Sequence, residues 1–192
     1  MATTDFIFDA IASYPSNKDY IASFNIKDGE EEKISNIVNL AYKRGENGMW
    51  KTYGRTNPDE IKNFCNNNNI IVIKENDTIV GSIYVTNSFN NNSNLGELGM
   101  LAVNEDYLGQ GVGSLLIKCA EEYCKKSNCK QIRLELLAPK DYVHPFKNRL
   151  DQWYTKLKYV KGKTEDFMTA FPQIAPNLAV PCNFTVYIKD LL

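Results

Sequence analysis

The stretch with the plainest chemical content is Gly109-Gln110-Gly111-Val112-Gly113, with three glycines in five residues. It stands between an apolar, strand-like run, Glu97–Val103, and a segment striped with apolar residues that begins at Val112. Glycine lets a backbone approach a ligand closely. The first turn of a helix offers N–H groups without an intrahelical partner, together with a partial positive charge. The combination is an anion site suited to a phosphate or pyrophosphate; a tight turn that only packs helix on strand is the alternative. Two sharper motifs fail on spacing. A Walker loop ends in Gly-Lys-Ser/Thr, whereas Gly113 is followed by Ser114 and Leu115. A dinucleotide loop is spaced GxGxxG behind the first strand of a parallel sheet. Here the spacing is GxGxG behind a strand hairpin, and only Glu135 stands near the distance of a ribose-binding acid.

Other reactive side chains are sparse. Cys65, Cys119, Cys124, Cys129 and Cys182 form no CxxC pair and have no flanking histidine at ligand spacing, so they read as reduced thiols. Cys119 and Cys124 lie on the apolar stripe after the glycines. Cys182 would need a partner base, and the sole histidine, His144, precedes Pro145 and reads as a surface or hinge residue. Nucleophilic catalysis through a thiol is therefore disfavoured, and no metal is expected. From spacing alone Tyr154 reads as a core aromatic on a helix and Glu97 as a solvated charge at a strand start.

The elements that would position these groups follow from periodicity. Tyr20–Ile26 reads as a strand, and Ile34, Ile37, Val38, Ala41 and Tyr42 form one apolar helix face behind an acidic start. Asn57-Pro58-Asp59-Glu60 is a helix-start signal. Ile70–Lys74 and Ile79–Val85 read as a hairpin, Thr86–Asn94 as an exposed Asn-rich loop and Glu97–Val103 as the next strand. Val112, Leu115, Leu116, Cys119, Ala120, Tyr123 and Cys124 give the clearest helix. A strand at Gln131–Leu137, a helix around Asn148–Lys158 and strands at Tyr159–Lys163 and Phe184–Lys189 complete the chain. The order is β-α-α-β-β-β-α-β-α-β-β, a mixed α/β layout with one right-handed β-α-β unit.

The segment ELGMLAVNEDYLGQGVGSLLI resembles the acetyl-CoA-binding motif of the GNAT superfamily, Gln/Arg-x-x-Gly-x-Gly/Ala, with Gly111 and Gly113 in the two glycine positions. Leu108 stands where the family usually has Gln or Arg. The stretch Leu150–Tyr159 resembles the family's closing helix, with Lys158 in place of its glycine, and Pro181–Tyr187 is similar to the last strand of some small-molecule members. The resemblance spans roughly residues 20–190 and implies a mixed, centrally splayed sheet with flanking helices, the GNAT-like N-acyltransferase fold. It implies acetyl-CoA as co-substrate. Gln110, Gly111, Val112, Gly113 and Ser114 would hold the pyrophosphate, and Leu101 and Val103 would pair with the pantetheine arm. Tyr154 would serve the departing thiolate, Glu97 would be the base unless a water chain serves, and the Leu101 N–H would face the oxyanion. Trp50, Tyr53, Arg55, Phe171 and Tyr187 would frame the acceptor; for Arg55, local pairing with Asp59 or Glu60 is the alternative. The implied activity is N-acetylation of a small-molecule primary amine by direct attack. A protein lysine or N-terminal acetyltransferase, or a non-catalytic acyl-CoA sensor, are the alternatives.

Composition bounds the rest. A formal net charge of −1 argues against a general nucleic-acid or membrane-surface binder. The start MATTDFIFDA is no secretory signal and no run reaches transmembrane length, so the reading is a cytoplasmic enzyme. One domain over 20–192 with an N-terminal extension over 1–19, monomeric or homodimeric, fits the length.

Overall fold

The computed structural model of the chain describes residues 8–12, 18–52, 54–92 and 94–191. In chain order its helices and strands are α1 (Asp9–Ala12), β1 (Tyr20–Ser23), α2 (Glu30–Gly45), α3 (Pro58–Asn66), β2 (Ile70–Glu75), β3 (Thr78–Thr86), β4 (Leu95–Val103), α4 (Val112–Lys126), β5 (Gln131–Pro139), α5 (Pro145–Lys156), β6 (Val160–Asp166), α6 (Phe167–Ala170) and β7 (Cys182–Asp190). Several boundaries follow from local chemistry. Asn57 caps α3, its side chain accepting from Glu60 N–H at 2.9 Å with Pro58 at the first position. Asn76 and Asp77 take positive φ between β2 and β3, the conformation of a two-residue hairpin turn. Helix α5 begins at Pro145, three residues ahead of the Asn148 expected from apolar spacing. The start is set by His144, whose Nδ1 caps the Lys147 N–H, and by proline at the first turn.

Among the described residues seven strands form one sheet, in the order β1-β2-β3-β4-β5-β7-β6. Every neighbouring pair is antiparallel except β4 and β5, which run parallel and pair only over Leu95–Glu97 with Gln131–Arg133. Beyond Glu97 the two strands part, while β5 continues against β7 from Gln131↔Asp190 to Pro139↔Cys182. The sheet is thus two halves joined at the narrow end of a splay, the mixed splayed sheet expected.

Helices α2 and α3 cover one face of the first half, which we call the front. Ile34, Val38 and Ile61 pack there on Ile70, Val72, Ile79, Met100 and Ala102. Each such fully buried aliphatic contributes about 1.5–3 kcal/mol relative to exposure. Helix α4 covers the back, its Leu115, Leu116, Cys119 and Cys124 packed with Ile71, Ile73, Ile83, Leu98, Ile132 and Leu134. Helix α5 covers the back of the second half, bringing Tyr154 against Tyr159 and Tyr187. Phe8, in the segment expected to be an extension, is buried in this same back core beside α4.

Strand β4 contains a β-bulge. Gly99 pairs with Tyr84 and Ala102 with Ser82, so Met100 and Leu101 stand together opposite Ile83. Met100 takes φ +45°. The extra residue reverses the alternation. Leu98 faces the back and Met100 the front, but Leu101 and Val103 then face the back and Ala102 the front.

Candidate active site

The candidate anion site is one contiguous turn. Gly111 caps α4 in the left-handed conformation, φ +79°, without a side-chain cap. The first intrahelical bond runs from Leu115 N–H to Gly111 C=O, which leaves the N–H groups of Val112, Gly113 and Ser114 without a partner in the helix. No acidic residue stands in this first turn. Gln110 is exposed, its amide donating to Asp106 C=O at 2.8 Å, and exposed Leu108 leaves the site lined by backbone. These are the donors an anion needs, with the helix dipole in its favour.

Next to this turn lies the free edge of β4. One side of β4 is bonded to β3, and past Glu97 the other side faces the splay. An extended, amide-bearing arm can add to such an edge as a strand does. Leu101 and Val103 lie on this stretch. A Cβ built on Gly113 would lie 3.8 Å from Val103 Cγ2 and 3.5 Å from the Trp153 ring, so the first turn of α4, the end of β4 and α5 meet at one place.

Tyr154 reaches that place from the back. It is buried, with ring centroids 5.3 Å from Trp153 and 5.7 Å from Tyr187. Burial, with the neighbouring phenols Tyr42 and Tyr187, raises its hydroxyl well above the ordinary phenol range, so it keeps its proton at neutral pH. Tyr42 approaches from the front, on α2. Its hydroxyl lies beside the Met100 backbone N–H of the bulge, and the Arg55 guanidinium stands 5.4 Å from its ring. Tyr42 and Tyr154 therefore face each other from opposite sides of the splay.

Glu97 occupies the last paired position of β4, opposite Arg133. It is half-buried, and its carboxyl is pushed up to about 7; burial is the main cause, opposed by the Arg133 charge and reinforced by Glu135. A Cβ on Gly99, two residues on, would meet only the Tyr84 ring at 3.9 Å, so the front face is open there.

The residues expected at the acceptor are spread more widely. Trp50 is half-buried, its indole N–H donating to Glu46 Oε2 at 2.6 Å and its ring edge-on to Phe167 at 5.9 Å. Phe171 packs in the same cluster, against Phe167 and Phe184. Arg55 pairs with neither Asp59 nor Glu60; it is exposed over Tyr42, and its backbone N–H bonds to Asn39 Oδ1 at 2.7 Å. Tyr187 is buried beneath α5 and donates its hydroxyl to Asp151 Oδ1, whose charge together with burial raises the phenol. Tyr53 lies outside the described residues.

Sequence reasoning missed Tyr42, Glu46, Lys147 and Arg133. Glu46 and Lys147 form a buried ion pair of 2.7 Å that joins the end of α2 to the start of α5. Tyr42 looked like one more apolar position on its helix, and a lysine in a polar-looking segment ordinarily points to solvent. The cysteines stay outside the chemistry. Burial pushes the Cys119 thiol up to about 12 and the Cys182 thiol up to about 11, far from a reactive thiolate. Among the described residues no group of His, Cys, Asp or Glu could hold a metal ion, and no helix is long and apolar enough to cross a membrane.

Comparison with known proteins places this geometry. The profile of the Acetyltransferase (GNAT) family matches residues 33–150, more than half of the chain. No curated protein matches at the level of sequence. Among solved structures the fold is similar to yncA from Salmonella typhimurium, solved with its cofactor acetyl-CoA (TM-score 0.67, 13 % identity, 92 % of this chain and 95 % of that one). It is similar to Ard1 from Thermoplasma volcanium (TM-score 0.63, 15 % identity, 90 % and 98 %). It is also similar to a chain of the NatC complex bound to Gag peptide and CoA (TM-score 0.63, 15 % identity, 91 % and 99 %).

Proposed function

Because the chain belongs to the GNAT acetyltransferase family, we propose that it moves acetyl from acetyl-CoA to the primary amine of a small molecule by direct attack. The observation that carries this reading is the meeting of an uncapped helix N-terminus, an open and bulged strand edge and a buried, protonated tyrosine at one point of the splay. Val112, Gly113 and Ser114 N–H groups, with Gln110 and Gly111, hold the pyrophosphate. Leu101 and Val103 bind the pantetheine arm through their backbone. Bound acetyl-CoA supplies the activated thioester. Glu97 accepts the proton of the incoming amine, directly or through water; a carboxyl near 7 is matched to that task at neutral pH. The Leu101 N–H, set in the bulge, faces the charge that develops on the carbonyl oxygen. Tyr154 donates a hydrogen bond to the departing sulfur, and the thiolate takes up the proton that the amine released through Glu97 or water.

A small acceptor is supported by the front wall. The segment after α2 is strapped to the segment before β7: Trp50 bridges Leu178, Lys51 N–H donates to Asn177 C=O at 2.9 Å, and Ala179 N–H donates to Met49 C=O at 2.9 Å. A through-running peptide groove needs those segments apart. Arg55, exposed above Tyr42, suits a carboxylate on the acceptor. A protein amine is the second reading, favoured by the fold's likeness to a chain of the NatC complex, a complex solved with Gag peptide and CoA bound. The five free thiols, four of them buried, support a reducing compartment such as the cytoplasm.

The test is calorimetric titration with acetyl-CoA, with NAD as control, followed by thiol release over panels of small amines and peptides. Amine-dependent release is expected. Tyr154→Phe should lower kcat about 100-fold with acetyl-CoA affinity retained. Binding without release would move the reading to a sensor, and release only with peptides to a protein acetyltransferase.

A further inference from the structure

Arg133 is 8 % exposed, on the β5 strand at the point where β4 leaves it. One guanidinium nitrogen, Nη2, bonds the Glu135 carboxylate, while Nε is buried without a hydrogen-bond partner among the described residues. The Phe89 ring covers the guanidinium, its centroid 4.0 Å from Cζ. Phe89 is delivered by the Asn-rich connection between β3 and β4, which has a built conformation. Asn90 and Asn91 take positive φ, Phe89 bridges Asn92, and Phe89 N–H donates to Leu95 C=O at 2.7 Å. Asn tolerates that left-handed turn better than most residues, which gives the asparagine run a conformational purpose. The loop thus presses an aromatic face onto a nearly buried cation that has no place in the reaction scheme so far. Glu97 stands opposite Arg133 in the β4–β5 register, at the apex of the splay, and feels the Arg133 charge without an ion pair to it.

We propose that Arg133 is a positioning residue for Glu97: clamped between Phe89 and Glu135, it fixes the charge and place of the carboxylate that receives the amine proton. The proposal rests on the reading of Glu97 as the base. Among the described residues the ionisable groups facing Glu97 are Arg133 and Glu135 on β5 and Tyr84 on β3, and Arg133 is the one cation among them. Arg133 opposes the effect of burial and Glu135 adds to it, so the ratio of the two decides how much carboxylate is present at neutral pH. Phe89 sets that ratio mechanically, because it shields the guanidinium from water and keeps it against the strand.

The test is the acidic limb of the kcat/KM–pH profile, read beside the NMR titration of the Glu97 side-chain carboxyl carbon. In the wild type both should fall near pH 7, and Glu97→Gln should abolish both. Arg133→Gln should move both upward by about one pH unit, since a carboxylate that loses its cation is harder to ionise, and Arg133→Lys should restore most of the shift. Glu135→Gln, at an exposed side chain that a folded protein tolerates, should move both downward. A limb that survives Glu97→Gln overturns the base assignment and this proposal with it. A limb that disappears in Glu97→Gln yet stays fixed in both Arg133→Gln and Glu135→Gln overturns the proposal alone. If Arg133→Gln does not fold, Phe89→Ala decides the matter: with the guanidinium opened to water the limb and the Glu97 titration should both move upward, and an unchanged limb overturns the proposal.

Discussion

Helix α2 carries a buried glutamate at each end. Glu30, in its first turn, is 6 % exposed and chelates Lys74 Nζ with both oxygens, at 2.9 and 2.7 Å, while accepting Lys27 N–H at 2.8 Å. Glu46, just past its last turn, is 7 % exposed and shares its two oxygens between Lys147 at 2.7 Å and Trp50 at 2.6 Å. Chemistry and burial are nearly the same; the partners are not. Lys74 lies on β2, in the half of the sheet that α2 already covers. Lys147 lies on α5, which packs on the other half, so the second pair crosses the splay. Glu46 follows Tyr42 by four residues, and Lys147 precedes Tyr154 by seven. A slip in this clasp moves both phenols that face each other across the gap. Equal burial therefore carries unequal functional weight, because one pair holds a helix to its sheet and the other holds the two walls of a site together.

The largest effect should come from breaking each pair in turn. Lys147→Met and Lys74→Met are each expected to cost about 3–5 kcal/mol in urea unfolding, since both strand a buried carboxylate. Only Lys147→Met should also lower kcat in the folded fraction, by about tenfold or more, through displaced Tyr154. Equal loss of turnover in Lys74→Met would make the two ends equivalent and end the comparison. Smaller are the effects of alanine at the flanking glycines. A Cβ on Gly45 would lie 2.7 Å from Phe146 Cε1, on α5, so Gly45→Ala should cost about 1–3 kcal/mol by overpacking and raise KM or lower kcat with it. Gly29 has open space around it but φ +85°, so Gly29→Ala should cost about 1 kcal/mol through backbone strain alone and leave kinetics unchanged. Chemical denaturation with steady-state kinetics on the same samples separates the two. The smallest effect is the pH dependence at the first end. Burial raises the Glu30 carboxyl, but the Lys74 bond and charge and the Lys27 N–H outweigh it and hold it below its ordinary 4.5. A depressed carboxyl stabilises above the unfolded value and loses that contribution as pH falls through the folded one. The stability gap between wild type and Glu30→Gln should therefore close on titration below pH 4.5, and a gap that persists at low pH would contradict the sign.

The site was legible in proportion to how local it is. The anion turn and α4 were readable because helical periodicity and a glycine cap reside in one contiguous stretch, and Asn57 and Pro58 announced α3 in the same way. His144-Pro145 carried a helix start that apolar spacing hid, because the first turn of α5 presents Lys147 to the interior where a hydrophobic residue was sought. The bulge left no mark. Leu98, Met100, Leu101, Ala102 and Val103 are apolar whichever face they take, so a one-residue reversal of sides cannot be read from them. Tyr42 sat on the expected apolar stripe and had nothing to distinguish it until Tyr154 was brought opposite.

What residue order alone settled here is whatever one or two turns of backbone decide: most of the elements, the Asn57 cap, the glycine turn with Gly111 and Gly113, and through them the family. Short-range hydrogen bonding and side-chain periodicity act within a few residues, so their imprint stays in the chain. Folding in three dimensions decided the rest. The splay exists because β5 loses β4 after Arg133 while its other edge stays on β7, and those β5–β7 pairs join residues that stand 43 (Pro139, Cys182) to 59 (Gln131, Asp190) positions apart. The raised carboxyl of Glu97, the shielded guanidinium of Arg133 and the clasp of Glu46 on Lys147 follow from it. Desolvation and Coulomb attraction depend on what surrounds a group in space, and that is set by which strands and helices pack together.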